Sequence, residues 1–174
     1  VVGLTATPIA NRHYLLSLFE VTKVIKRELI NKTYQVVNVP QRTKETQMMK
    51  HIADSINSHV HANAVSIVYV QTTKTTDIAK WQKALSGNKK VVVVNSKVRN
   101  TPDAAEFFAS KHASEQAVYL VTSLIAEGVN IINPIKTVNI YVTESTQPLL
   151  IEQLAKRFRK AETVNVVRYV RESE

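Results

Sequence analysis

The chain has 174 residues, 44% of them hydrophobic, enough for one domain with a real core and little more. Its formal net charge is +9, with a pI near 9.8, which points to a polyanionic partner, most simply nucleic acid. It has no cysteine, so disulfides and thiolate metal sites are excluded and an intracellular, reducing compartment is expected. No apolar run approaches the length of a membrane span, and no signal peptide is visible.

The chain starts at Val1-Val2-Gly3-Leu4, a buried-strand pattern with no turn or cap before it. That start is expected of a piece of a longer protein. Short β-branched runs then alternate with amphipathic stretches. Strands are predicted at Val1–Leu4, Tyr34–Val39, Ser66–Val70, Val91–Val94, Ala117–Val121, Thr137–Val142 and Val164–Val170. Helices are predicted at Lys44–His59, Thr76–Leu85, Asp103–Ala113, Ser123–Gly128 (short) and Pro148–Ala161.

Runs such as Val91–Val94 lack alternation, as strands covered on both faces do. Strands separated by helices predict a doubly wound α/β domain with a mainly parallel sheet and helices on both faces. The boundary is expected within Ala10–Thr33, which is basic and lacks a core pattern. Residues 1–33 then form the edge of a preceding domain and a linker, and 34–174 the main domain. Trp81, at helical spacing with Ile78 and Leu85, reads as a packing residue. His51, His59 and His61 have no acidic partner at ligand spacing, so no metal site is expected.

Four segments carry candidate chemistry, each placed after a strand, where open α/β sheets bind ligands. Thr5-Ala-Thr-Pro8 sets two hydroxyls around one small residue. Gln71, Thr72 and Thr73 end a buried strand just before a helix, and suit either an anion site or a helix cap. Thr122 and Ser123 follow another strand, and Gly128 then breaks a helical turn ahead of Asn130. With three glycines in the whole chain, Gly128 is expected at positive φ, as a helix C-cap or where a ligand nears the backbone. The last segment, Gln153-Leu-Ala-Lys-Arg-Phe-Arg-Lys160, puts four cations within five residues. As one helix it buries Leu150, Leu154, Phe158 and Ala161. Gln153 and Arg157 border that stripe, and Arg157 and Arg159 fall at opposite edges of the polar arc. A solvated basic face is the plain alternative.

In this order and spacing, the four segments resemble the superfamily 2 helicases and translocases, in which two RecA-like lobes sandwich ATP and nucleic acid runs across both. Thr5–Pro8 is similar to motif III, Ile67–Thr73 to motif IV with Tyr69 where Phe is frequent, Thr122–Asn130 to motif V, and Gln153–Lys160 to motif VI. Motif VI often reads Gln-x-x-Gly-Arg-x-Gly-Arg. Here Lys156, Arg159 and Lys160 replace the two glycines and the last arginine, while Gln153 and Arg157 match.

The resemblance implies a second, C-terminal RecA-like lobe. It implies catalytic contacts from Gln153 and Arg157 and an arginine-finger role for one of two candidates, Arg159, favoured by its bidentate chemistry, or Lys160, favoured by register. Nucleotide contacts would come from Gly128, Asn130 and Glu127. Gln71, Thr72, Thr122 and Ser123 would contact the phosphates of DNA or RNA, and Thr5 and Thr7 would couple hydrolysis to motion. The chain holds no Gly-x-x-x-x-Gly-Lys-Ser/Thr and no Asp-Glu pair. ATP and Mg²⁺ would therefore be held mostly by a partner N-terminal lobe, and the chain alone would not hydrolyse ATP. Two other readings remain open: a non-catalytic nucleic-acid-binding lobe, and a protein-interaction lobe that docks through the Pro148–Ala161 helix.

Overall fold

The structure, a computed structural model, describes residues 31–58, 63–85, 89–124 and 127–173. Thr5, Thr7 and the expected strand Val1–Leu4 lie outside the described residues, as do His59 and His61.

Among the described residues, six strands and four helices follow in the order β1 (Asn31–Val39), α1 (Glu45–Ser58), β2 (Val65–Tyr69), α2 (Thr75–Ala84), β3 (Lys90–Val94), α3 (Pro102–Ser110), β4 (Ala117–Val121), β5 (Ile135–Thr143), α4 (Pro148–Lys156) and β6 (Ala161–Arg171). The strands form one sheet in the order β1-β6-β5-β2-β4-β3, and every neighbouring pair is parallel. This is the doubly wound α/β arrangement expected from the alternation.

The side-chain alternation of each strand divides the core in two. On one face Ile67, Tyr119, Val121, Val138, Ile140 and Val164 pack under Phe107 of α3 and Ile151, Leu154 and Ala155 of α4. On the other, Val68, Val118, Leu120 and Tyr141 pack under Met48, Ile52 and Ile56 of α1 and Ile78 of α2. Every residue of β4 is buried, which is why its sequence shows no polar alternation. Trp81 packs half-buried against the second core, as its spacing predicts.

Helix starts follow local chemistry. Both α3 and α4 begin at a proline, whose missing N–H costs nothing in the first turn. The end of α3 comes three residues before the expected Ala113. Lys111 takes the left-handed conformation at φ 56°, and its N–H caps the Phe107 carbonyl.

The largest departure lies in α4. The helix predicted over Pro148–Ala161 stops at Lys156. The N–H of Arg157 turns back to the Leu154 carbonyl at 3.1 Å, a three-residue closure that tightens the last turn. Phe158 then forms a parallel bridge with Ile131, and the Ile131 N–H donates to the Arg157 carbonyl at 2.7 Å. Leu154, Phe158 and Ala161 are all buried, so the apolar pattern was sound. A turn and the start of β6 bury the last two, not a continuing helix.

Strands β2 and β5 are neighbours whose onward connections run in opposite directions, toward β3 and toward β6. The topological switch point of the sheet therefore lies at their C-terminal ends, Tyr69 and Thr143.

Candidate functional site at two sheet edges

The residues singled out in the sequence fall into two groups at opposite edges of the sheet. Gln71, Thr72, Thr122 and Ser123 follow the C-terminal ends of β2 and β4. Asn130 and Arg157–Lys160 lie at the N-terminal edge, just before β5 and β6 begin, while Glu127, and Gly128 after it, stay near Ser123 through a 2.8 Å bond from the Glu127 N–H to the Ser123 carbonyl. Five residues of β4 separate the two edges, roughly 16 Å of strand. The expectation that all four segments sit at strand C-termini is thus corrected for the basic segment. A helix that leaves the C-terminal edge must return the chain to the other edge before a parallel strand can begin.

At the C-terminal edge, Gln71 Nε2 donates to Ser145 Oγ at 2.9 Å, which ties the end of β2 to the end of β5. Ser145 Oγ also lies 2.9 Å from Thr143 Oγ1. Thr72 Oγ1 donates to Asp77 Oδ2 and accepts the Lys74 N–H, both at 3.1 Å, and so shapes the entry to α2. No side chain caps the first turn of α2. Thr122 is half-buried, with its N–H on the Val94 carbonyl at 3.2 Å. Ser123 is 9% exposed, and its hydroxyl has no hydrogen-bond partner among the described residues. Between α1 and α2, this edge opens into a recess of about 380 Å³.

Beside it, Arg171 clips three elements together. Its guanidinium meets the Glu144 carboxylate, Glu45 of α1 at 2.9 Å and the Thr43 carbonyl at 2.7 Å. The backbone N–H of Arg171, then its guanidinium, hold the Glu144 carboxyl below its ordinary pKa.

In the loop that runs from the end of β4 toward the N-terminal edge, Gly128 adopts φ +66°, and a Cβ built there would meet nothing within 4 Å. The positive φ expected of it is present, and the space beside it is open. Residues 125–126 of the expected short helix Ser123–Gly128 lie outside the described residues; the Glu127 N–H bonds the Ser123 carbonyl at 2.8 Å. Glu127 pairs with Arg99 at 2.8 Å, and Arg99 in turn lies over the Phe108 ring, 4.9 Å from its centre. Asn133 exchanges two hydrogen bonds with the Ala113 backbone, at 2.9 and 2.8 Å. These contacts anchor the 127–133 loop to the end of α3.

Asn130 is half-buried, and its Oδ1 has no hydrogen-bond partner among the described residues. The Ile131–Phe158 bridge holds this loop beside the basic turn. In that turn Arg157 is half-buried, while Arg159 and Lys160 are exposed. They occupy a turn, so the expected placement of Arg157 and Arg159 at two edges of one helix does not apply. Gln153 remains on α4, half-buried, and Lys156 pairs with Glu152 at 3.2 Å.

Sequence reasoning missed Ser145 and Glu45. Ser145 lies in a loop that carried no pattern, and the partners of both become neighbours only when β5, β6 and α1 assemble. Among the described residues, no helix is long and apolar enough to cross a membrane.

The all-parallel six-stranded sheet, wound on both faces, defines a RecA-like, helicase-like α/β fold. No family model and no curated protein matches the chain. Among solved structures, it is similar to the crystal structure of T. fusca Cas3-ADP, with a TM-score of 0.52 and 14% identity. The likeness covers 90% of this chain and 20% of that one. At this identity it shows the fold alone.

Proposed function

We propose that this chain is the second RecA-like lobe of an ATP-dependent superfamily 2 helicase or translocase. The basic turn with the 127–130 loop would face nucleotide, and Gln71, Thr72 and Thr122 the nucleic-acid backbone. The carrying observation is the bridge between Ile131 and Phe158, with the 2.7 Å bond from the Ile131 N–H to the Arg157 carbonyl. It sets Asn130 beside Arg157 in the basic turn, at the edge opposite Gln71, Thr72 and Thr122. The basic turn and Asn130 are separated from Gln71, Thr72 and Thr122 by the length of the strands, while Glu127, bonded to Ser123, joins the two groups.

The basic turn and the 127–130 loop fit one side of a nucleotide. Gly128 leaves room for close approach to the backbone. The Oδ1 of Asn130 is an acceptor unused by the described residues, suited to a hydroxyl donor such as a ribose. The cations of the turn suit phosphate. Nothing in the sequence supplies a phosphate-cradling loop or a Mg²⁺-binding acidic pair, so a partner lobe would contribute both. When bound between the lobes, ATP would supply the phosphoanhydride bond to be broken. Arg157, with Arg159 or Lys160, would neutralise charge developing on the transferred phosphoryl, and Gln153 would line the approach from α4. Such an arginine contact typically contributes ~10³-fold or more. Gln71, Thr72 and Thr122 would hold backbone phosphates without reading sequence.

In the protein carrying both lobes, Arg157→Ala and Arg159→Ala are expected to lower ATP turnover, by about three orders of magnitude or more for the residue that serves as the finger. Unchanged turnover in both would remove the finger assignment. The +9 charge also suits a lobe that binds nucleic acid without catalysis. That reading gains if neither substitution matters while single-stranded DNA or RNA still binds and weakens steeply with salt.

A further inference from the structure

We infer that the recess at the switch point is a base pocket. It would receive one unstacked base of a single strand whose backbone crosses the C-terminal edge. The inference rests on the nucleic-acid reading above and adds to it a specific contact. The recess of about 380 Å³ lies within the size range of small-ligand sites, roughly 300–1,000 Å³. Its walls are chemically divided. Trp81, Tyr69 and Met49, all half-buried, give flat or polarisable surface of the kind that receives a planar ring. Gln71 and Ser145, joined by their 2.9 Å hydrogen bond, bring an amide and a hydroxyl to the same recess.

The surroundings suit a strand rather than a free base. Lys80 lines the recess, and the uncapped first turn of the ten-residue helix α2 begins beside it at Thr75. A base in the recess would thus have its own phosphates near Lys80 and the start of α2, with the two carboxylates of the recess, Asp77 and Glu45, engaged by Thr72 and Arg171. Stacking on aromatic side chains is how sequence-tolerant single-strand binders hold bases, because every base has a flat face. Trp81 is half-buried because α2 packs Ile78 inward and leaves the indole at the rim of the core.

Trp81 is the only tryptophan in the chain, so its fluorescence reports on the pocket directly. The test titrates the whole chain at low salt with oligothymidylate and with an abasic strand of equal length. Tryptophan emission and binding by anisotropy are followed together. The expected result is quenching by oligothymidylate that saturates with binding, and weaker binding without quenching by the abasic strand. Trp81→Ala should bind oligothymidylate roughly 5- to 150-fold more weakly, the scale of one lost base stack. Trp81→Phe should recover most of that loss. Equal affinity for both strands with no quenching overturns the base pocket and leaves the nucleic-acid reading intact. Failure of both strands to bind overturns the two together. The quenching result needs no variant, so a Trp81→Ala chain that failed to fold would not block the test.

Discussion

Replacing Phe158 by alanine should cost about 3–5 kcal/mol of folding stability, the range for truncating a buried aromatic side chain. The structure supports the full range. Phe158 is 1% exposed, among the largest fully buried side chains, in the core beneath α4. Its backbone bridge to Ile131 would survive the change, so the loss comes from the ring and the cavity it leaves. Set against about 5–15 kcal/mol for a typical domain, this removes a large share of the total. Urea denaturation followed by circular dichroism would read it as a lower midpoint with an unchanged slope. Phe158→Leu should recover more than half of the loss, because it refills most of the volume. A cost below about 1 kcal/mol would refute the reasoning. It would mean that the ring is not buried in the core beneath α4.

Other expectations follow from single positions. Gly128→Ala should cost about 1 kcal/mol through backbone conformation alone, since φ is +66° and no neighbour meets the added Cβ. Gly128→Asn should cost less, and a neutral Gly128→Ala in the same denaturation assay would show that φ is not positive there. Glu144, held by Arg171, should stabilise the fold by on the order of 1 kcal/mol, discounted for exposure. Its folded pKa is depressed, so this contribution is present above the unfolded value near ~4.3 and lost as pH falls through the lower folded value. The stability gap between wild type and Glu144→Gln should therefore be flat above about pH 5 and close below about pH 4. A gap that widens on acidification would contradict the Arg171 contact.

The sequence by itself determined the order of elements, the parallel doubly wound sheet and the special status of Gly128. Each is a local property. Non-alternating β-branched runs mark strands covered on both faces, amphipathic spacing marks the helices between them, and a lone glycine at a turn marks positive φ. The same periodicity identified Leu154, Phe158 and Ala161 as buried, yet it could not end the helix that carries them. A period of 3.6 residues is satisfied equally by a continuing helix and by a helix, a turn and a strand that bury the same residues. Only the tertiary structure decided between them, because the group that captures Phe158 is Ile131, 27 residues earlier in the chain. That capture puts the basic turn beside Asn130 at one sheet edge and leaves Gln71 joined to Ser145 at the other. Strand order alone sets such pairings, and strand order is fixed by burial across the whole sheet.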